Sequence, residues 1–184
     1  MTPSQTIRTA GASDVDGIVC LFDRCYDTNG PGLAQRFTRD QVASFVTSTA
    51  CAVASDGDTV LGALVAQPVP QGSEAGPVTR AMLDAFPACG RCYVYGPIAV
   101  ALEARGRGIA RALASHVCAS HPGETGILFV DDLNEASMRF HSAAPFRRLG
   151  SFTFGPRRFT CLVLVPPDAT HHAQANRSSH GSVR

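Results

Sequence analysis

Two glycines and three arginines in a short segment, residues 105–111, are the side chains with the clearest chemical meaning. An apolar run typical of a buried strand ends before the segment, and a helix-like run begins at Gly108. N–H groups in the first turn of a helix have no partner in the helix, and the helix dipole places positive charge there. Glycine lets an anion approach the backbone, and arginine forks onto phosphate oxygens. The segment therefore predicts a site for a cofactor that carries a phosphate or pyrophosphate group.

The type of cofactor is not settled by these residues alone. The segment lacks the G-x-x-x-x-G-K-[ST] pattern of a P-loop. It half-matches the dinucleotide fingerprint, because Gly106 and Gly108 fit but Arg111 takes the third small position, where close packing is needed. Asp131 and Asp132 end the next strand, where an acid that binds ribose would lie. A nicotinamide-dependent oxidoreductase is therefore one alternative, and a purely structural strand-to-helix turn is another.

The elements that position this segment follow from hydrophobic periodicity and turn residues. The predicted strands are Gln5 to Thr9, Ala50 to Ala54, Thr59 to Gln67, Cys92 to Val100, Gly126 to Asp131, Gly150 to Gly155 and Arg158 to Val165. The predicted helices run from an N-cap at Ser13 to about Tyr26, from Arg39 (capped by Thr38) to about Ser48, from Thr79 to Phe86, from Gly108 to about Ser120, and from Glu135 (capped by Asn134) to about Ala143. This order contains one parallel crossover, whereas a dinucleotide-binding domain needs repeated βαβ units.

The strand before the glycine segment contains Gly96 and Pro97 in its interior. Proline removes a donor from the ladder and glycine weakens a strand, so the pair predicts a bulge or a break.

The signature Arg105-x-x-Gly108-x-Ala110, placed between a strand and a helix, resembles that of the GNAT superfamily of N-acyltransferases. The resemblance covers about Thr6 to Val165. It implies an α/β fold: a mixed, mostly antiparallel sheet with helices on both faces, whose fourth and fifth strands are parallel and splay apart. It also implies acetyl-coenzyme A, or another acyl-coenzyme A, as the co-substrate. The implied coenzyme-binding residues are Ile98, Ala99, Val100, Arg105, Gly106, Arg107, Gly108, Ile109, Ala110, Arg111, Asn134 and Ser137.

Residues 134–146 resemble the family segment N-x-x-[AS]-x-x-x-Y-x-x-x-G-F. Asn134 and Ser137 fit it and would contact the pantetheine arm or the phosphates, and Phe146 fits as a core anchor. His141 stands where the family has tyrosine, and Pro145 replaces glycine. That tyrosine protonates the leaving thiolate in the family. A histidine with an ordinary pKa of about 6.5 has a protonated fraction near neutrality, so His141 is the candidate general acid.

The implied reaction is direct attack of a neutral amine on the acyl carbon, without a covalent enzyme intermediate. A backbone N–H near Ile98 would face the thioester oxygen. No acidic side chain on the central strand offers itself as the base. Glu74 and Asp84 in the insertion before it are possible bases, and water relayed through Tyr95 is a weak candidate. The acceptor is a small-molecule or peptide amine, and its pocket is expected among Asn29 to Phe37, Pro68 to Arg91 and the closing hairpin. A catalytically reduced module that binds or senses coenzyme A is the alternative within this fold.

Length, composition and cysteine spacing limit the possible domain number, partners, location and metal content. The length of 184 residues with 45% hydrophobic residues predicts one domain, residues 1–165, followed by a disordered tail, residues 166–184. The net charge of +1 argues against nucleic-acid and membrane partners, and no signal peptide is recognised, so a cytoplasmic location is expected. Cys89 and Cys92 form a C-x-x-C pair without a second pair at matching spacing, so no metal is expected. A homodimer is compatible with the family resemblance.

Overall fold

A seven-stranded sheet forms the centre of the computed structural model, which describes residues 5–27, 32–33, 35–70, 75–88, 90–143 and 145–165. The strands are β1 (Thr6–Thr9), β2 (Ala50–Asp56), β3 (Thr59–Pro68), β4 (Cys92–Val100), β5 (Thr125–Asp131), β6 (Phe146–Phe154) and β7 (Arg157–Leu164). Their order across the sheet is β1-β2-β3-β4-β5-β7-β6, and neighbouring strands are antiparallel except for the parallel pair β4 and β5. The mixed α/β fold implied by the family resemblance is therefore confirmed.

Helices pack on both faces of this sheet. They are α1 (Val15–Arg24), α2 (Arg39–Ser48), α3 (Pro77–Ala85), α4 (Ile109–Ser120) and α5 (Glu135–His141). Helix α1 contacts β3 and β4, and α4 contacts β1, β2 and β3. Thr38 caps α2 as predicted, because its hydroxyl accepts the Gln41 N–H at 3.2 Å. Among the described residues, no helix is long and apolar enough to cross a membrane.

The parallel pair separates shortly after it begins. Its ladder consists of three residue pairs, from Cys92 opposite Thr125 to Val94 opposite Ile127. Beyond that point β4 continues against β3, and β5 continues against β7. The two strands therefore diverge toward their carboxyl ends and leave a V-shaped opening, with Tyr95 as the first residue of β4 beyond the paired segment.

The predicted irregularity in β4 is present. The register with β3 shifts between Leu64 and Ala66. Gly96 has a φ of +122°, a backbone conformation that residues other than glycine rarely adopt. The Gln67 side-chain amide donates to the Gly96 carbonyl at 3.1 Å and so covers the disrupted ladder. The bulge turns the backbone of β4 just beyond the apex of the V.

Some predicted boundaries are wrong for local reasons. Ser13 does not cap α1, because a 3-10 turn, Ala12–Asp14, precedes the helix and the Asp14 carboxylate accepts the Gly11 N–H at 2.7 Å. The last helix ends at His141 rather than near Ala143. The closing hairpin begins at Phe146 rather than Gly150, because β6 continues to pair with β7 beyond a bulge at residue 149.

The segment between β3 and β4 contributes to the core rather than forming a plain surface loop. Helix α3 lies within it, and Met82 of this helix is fully buried. Met82 belongs to a second apolar cluster, separate from the main core, whose other buried members are Val94, Ile127, Phe152, Phe159, Cys161 and Val163. The part of the insertion that the structure describes therefore covers one face of the sheet next to β6.

Candidate active site

The V between β4 and β5 presents backbone groups that no strand pairs. Alternate residues of an antiparallel ladder direct their N–H and C=O toward the partner strand. The Ala101 N–H donates to the Leu61 carbonyl at 2.8 Å, so Ala99, two residues earlier and opposite Ala63, also directs its groups toward β3. Ile98 and Val100 therefore direct theirs away from β3, toward the opening. Of the three predicted coenzyme contacts on this strand, Ile98 and Val100 have the suitable backbone direction and Ala99 does not.

The glycine segment after β4 has the geometry of an anion site. Gly108 is the N-cap of α4, and the first helical bond runs from the Ala112 N–H to its carbonyl at 3.0 Å. Gly106 and Gly108 have φ values of +77° and +78°, and a Cβ added at either position would meet no atom within 4 Å. The space above both glycines is thus open, and the N–H groups of Ile109 and Ala110 lie at the positive end of the helix dipole.

Side chains hold the connection between β4 and α4 in place. Arg105 donates through Nε to the Val100 carbonyl at 3.3 Å, and Arg107 donates to the Glu103 carbonyl at 2.9 Å. The Glu103 carboxylate forms an ion pair with Arg24 of α1 at 2.9 Å, so it does not face the acyl group as a base. These bonds anchor the arginines at the edge of the open glycine surface, where the predicted phosphate contacts would be made; the side chain of Arg111 is exposed there too.

Close packing places the start of α4 against the sheet. A Cβ added to Gly62 of β3 would lie 2.8 Å from Cγ2 of Ile109. The side chain of Ile109 is buried in the main core, so this residue has a packing role in addition to any contact of its backbone with an anion. Gly62 therefore sets how closely the N-terminus of α4 approaches β3.

The start of α5 orders the residues of the second predicted motif. The Asn134 side chain accepts the Ser137 N–H at 2.9 Å and caps the helix. Nδ1 of His141 lies 2.9 Å from the Ser137 carbonyl and 3.1 Å from the Ser137 hydroxyl. Because a carbonyl can only accept, Nδ1 carries the ring proton. Asn134, Ser137 and His141 thus form one connected unit on α5.

The surroundings of His141 disfavour the protonated ring that a general acid needs. His141 is 2% exposed, and burial lowers its pKa from 6.5 to about 4, although the bond to the Ser137 carbonyl partly offsets this. The ring is therefore neutral at pH 7, with its proton on Nδ1, and Nε2 is an acceptor without a proton to give. Nε2 is buried and has no hydrogen-bond partner among the residues that the structure describes.

Tyr95 lies beside His141 at the apex of the V. The two rings meet edge to face with centroids 5.7 Å apart, and Phe146 packs against both. Tyr95 is 3% exposed, and burial raises its pKa well above the ordinary value of 10. Its hydroxyl keeps its proton and, within the described part of the chain, has no hydrogen-bond partner. The apex thus combines a buried proton donor, Tyr95, with a buried proton acceptor, His141.

The acids that would bind the ribose of a dinucleotide have other partners. Asp131 forms an ion pair with Arg157, and Asp132 forms one with Arg158 at 3.4 Å and accepts the Thr160 hydroxyl at 2.7 Å. These contacts fasten the β6–β7 hairpin to the end of β5. Together with the single parallel pair in the sheet, they argue against the nicotinamide-dependent alternative.

The expected acceptor region is described in part. Residues 28–31, 34, 71–74 and 89 lie outside the described residues, so Cys89 and parts of the two predicted acceptor segments cannot be placed, and the same applies to the tail, residues 166–184. Tyr26 and Leu33 form an isolated bridge, and the Arg36 guanidinium lies 4.5 Å from the Tyr26 ring centroid. Among the described residues, no group of three His, Cys, Asp or Glu side chains could hold a metal ion.

Three residues that position the site carried no recognisable sequence signal. The Gln67 side-chain amide donates to the Gly96 carbonyl in the bulge, and the missing side chain at Gly62 leaves room for Ile109 of α4. The Cys25 thiol donates to the Val100 carbonyl at 3.8 Å. Each acts through a neighbour that is distant in sequence, and such a contact appears only once the strands are paired. The nearest available signal was a glycine inside a strand, which often marks a close approach of another element.

Comparisons with known proteins agree with this geometry. The profile of the Acetyltransferase (GNAT) family matches residues 17–144. Comparison of the sequence with curated proteins returns no significant match.

Solved structures show the same fold at low sequence identity. YncA from Salmonella typhimurium, solved with its cofactor acetyl-CoA, has a TM-score of 0.63 at 14% identity, covering 98% of both chains. The ribosomal-protein-S18-alanine N-acetyltransferase from Escherichia coli has a TM-score of 0.62 at 15% identity, covering 88% of this chain and 94% of that one. The GNAT-like decarboxylase GphF in complex with isobutyryl-CoA has a TM-score of 0.62 at 19% identity, covering 87% and 98%. At these identities the likeness concerns the fold alone.

Proposed function

The chain belongs to the GNAT acetyltransferase family, and from this premise we propose that it transfers an acetyl or other short acyl group from acyl-coenzyme A to a primary amine. The amine belongs to a small molecule or is an exposed amino group of a peptide. Transfer is direct, without a covalent enzyme intermediate.

The observation that carries the proposal is the V between β4 and β5 with the open glycine surface at the end of β4. An extended polyamide arm fits a place where one strand edge presents backbone groups and its neighbour has moved away. A pyrophosphate fits the N-terminus of α4, where Gly106 and Gly108 leave the backbone uncovered. The two features are consecutive along the chain, so one ligand with a phosphate end and an extended arm would occupy both.

Acyl-coenzyme A supplies an activated acyl carbon and a thiolate leaving group. The backbone of β4 just after the bulge, near Ile98, directs an N–H toward the opening, where it would stabilise negative charge on the acyl oxygen. As the amine nitrogen bonds to the acyl carbon, the carbon–sulfur bond breaks and the sulfur takes the electron pair. The amine gives up its proton to water, because no described side chain at the apex is a suitable base.

Tyr95, rather than His141, supplies the proton donor for the leaving sulfur in this proposal. The Tyr95 hydroxyl is protonated, buried and without another partner among the described residues, so it suits a hydrogen bond to a developing thiolate. His141 has no proton on Nε2 and acts as a buried acceptor that positions the apex. In this proposal the residue that protonates the leaving thiolate lies on β4 and not on α5.

A turnover assay with a panel of primary amines tests the proposal. Acetyl-coenzyme A is supplied with each amine, released thiol is followed, and the acetylated product is identified by mass spectrometry. We expect amine-dependent thiol release by the wild type, and a lower kcat with little change in KM for Tyr95→Phe. His116→Gln, a substitution on α4 away from the apex, is the matched control and should retain wild-type kcat. Thiol release without any acylated amine would contradict the proposal.

A module that binds coenzyme A without turnover is the second candidate. It is favoured by one observation, the neutral His141 with no proton for the leaving group. Tight binding of acetyl-coenzyme A together with no product from any amine would support this candidate instead.

A further inference from the structure

Phe129 is the one residue in the interior of β5 that stays partly exposed. Its neighbours along the strand, residues 126–128 and 130–131, are all buried. The Phe129 ring meets the Phe159 ring edge to face with centroids 5.5 Å apart, and it meets the Phe152 ring in the same way at 6.1 Å. Phe152 and Phe159 are themselves buried. A partly exposed aromatic ring thus rests on a buried aromatic base.

The exposure of Phe129 follows from the separation of β4 and β5. The parallel ladder ends with Val94 opposite Ile127, and continuing its register by two residues would place Gly96 opposite Phe129. Gly96 has no side chain, and β4 has left β5 at this point. Ile127, which lies on the same face but is still paired with β4, is 3% exposed. On the other side of Phe129 the sheet continues, with Cys161 of β7 opposite it. The uncovered side of the ring therefore faces the V.

Phe129 and the leaving-group donor lie on opposite faces of the sheet. Side chains alternate between the two faces along a strand. Val94 and Ile127 belong to the apolar cluster under α3, so Phe129 lies on the α3 face. Tyr95 follows Val94 and is directed to the opposite face, where it packs against His141 of α5. In the proposed transfer, an amine would therefore reach the acyl carbon from the side of α3, past Phe129.

The carboxylate next to Phe129 on the same face is already neutralised by an arginine. Asp131 lies two residues further along β5 and forms an ion pair with Arg157 of β7. The Arg157 guanidinium also lies 5.7 Å from the Phe159 ring centroid. Because its charge is compensated, Asp131 attracts the second ammonium group of a diamine only weakly. The wall beside the V thus favours an uncharged, apolar group on the acceptor.

Other apolar side chains are exposed at the edge of the sheet toward which the V opens. β5 and β6 run in the same direction, because each is antiparallel to β7, so their carboxyl ends share this edge. Leu133 follows β5 and is 65% exposed, and Phe154 ends β6 and is 41% exposed. Grouped exposed apolar side chains mark binding surfaces, whereas single ones need no explanation. This edge therefore carries apolar surface in addition to Phe129.

We propose that the acceptor is a primary amine with an aromatic group that packs against the uncovered side of the Phe129 ring. This inference rests on the proposed function, because it names the class of amine that the V admits. A ring on the amine would add a third partner to the edge-to-face contacts that Phe129 makes with Phe152 and Phe159, and it would remove the exposed part of Phe129 from water. Phe129 is then a specificity-determining residue of the acceptor site.

The test compares 2-phenylethylamine with ethylamine, which lacks the phenyl ring, using acetyl-coenzyme A as the donor. We expect kcat/KM to be at least about tenfold higher for 2-phenylethylamine, the scale of a well-packed aromatic contact. Phe129→Leu keeps an apolar side chain in the strand and should lose most of this preference, while its kcat/KM for ethylamine stays near the wild-type value. The dicationic amine 1,4-diaminobutane should be no better than ethylamine.

Phe45→Leu is the matched control. Phe45 is also a partly exposed phenylalanine in an edge-to-face pair, with the Phe37 ring at 5.7 Å, but it lies on α2, which packs against α1 and β2. This variant should keep the wild-type preference. A second readout needs no turnover: 2-phenylethylammonium chloride is titrated into each protein, with and without coenzyme A, and binding is followed by saturation-transfer NMR of the phenyl signals. We expect saturable binding that Phe129→Leu weakens and Phe45→Leu does not.

The outcomes separate this inference from the proposed function. A preference for ethylamine or 1,4-diaminobutane, or a phenyl preference that Phe129→Leu retains in full, would overturn the aromatic acceptor. Acetylation of none of the amines would contradict the proposed function instead. In that case, binding of 2-phenylethylammonium that is lost in Phe129→Leu alone would still support the aromatic site, and no binding, or equal binding by all three proteins, would overturn it.

Discussion

Replacing His141 by glutamine should remove a pH dependence of stability that this one residue creates. Burial lowers the pKa of His141 from 6.5 to about 4 in the folded protein. Between these two values the unfolded chain binds a proton that the folded protein does not. Stability therefore rises with pH through this window and is lost as the pH falls through it. From the two pKa values, the loss between pH 7 and pH 5 is about 2 kcal/mol, and the full loss below pH 4 is about 3 kcal/mol.

Urea unfolding at a series of pH values between 7 and about 4.5 measures this effect. Glutamine does not titrate, so His141→Gln should be less stable than wild type at pH 7 but should lose about 2 kcal/mol less than wild type on going to pH 5. The hydrogen bond from Arg8 lowers the pKa of Asp14 below 3.8, so its contribution is lost at lower pH, outside this window. His116→Gln keeps His141 and should keep the wild-type slope. A constant difference between wild type and His141→Gln across the range would refute the neutral, buried imidazole.

Three further substitutions test the packing around the Tyr93 ring, the position of the start of α4 and the cap of α2. Gly126→Ala would place a Cβ 2.9 Å from the ring of Tyr93, and the overpacking should cost about 1–3 kcal/mol in urea unfolding; an unchanged midpoint would show that the ring moves freely. Gly62→Ala would place a Cβ 2.8 Å from Ile109 and should displace the start of α4, so we expect weaker binding of acetyl-coenzyme A in calorimetry, and unchanged affinity would contradict this. Thr38→Ala removes the cap of α2 and should cost about 1 kcal/mol in thermal unfolding without affecting coenzyme affinity.

The fold was largely predictable because its signals are local. Strand β4 has the predicted bounds, Thr38 caps α2, and Gly96 and Pro97 mark the bulge because their backbone preferences cannot be met in a regular strand. The start of the α4 helix followed from the glycines for the same reason. These inferences depend on one or a few neighbouring residues, and tertiary contacts did not override them.

The chemistry of the apex was less predictable because it depends on burial. Nothing in the sequence around His141 indicates that Tyr95, Phe140 and Phe146 surround its ring, and this surrounding lowers its pKa. The partner of its Nδ1, the Ser137 carbonyl, fixes the tautomer and thereby decides whether Nε2 can give a proton. A residue type suited to acid catalysis was thus recognisable from the sequence, but its protonation state was not.

The most direct test of the central claim is calorimetric titration of acetyl-coenzyme A into wild type, Gly108→Glu and Gly57→Glu. Both glycines have positive φ, +78° and +57°, and open space above them, so the two substitutions impose similar backbone strain. Only the carboxylate at position 108 would face the pyrophosphate, and its repulsion at about 4 Å costs about 1–4 kcal/mol. We predict binding by wild type and Gly57→Glu, and an affinity at least about fivefold lower for Gly108→Glu. No binding by folded wild type, or equal binding by all three proteins, would contradict the assignment of this surface to acyl-coenzyme A.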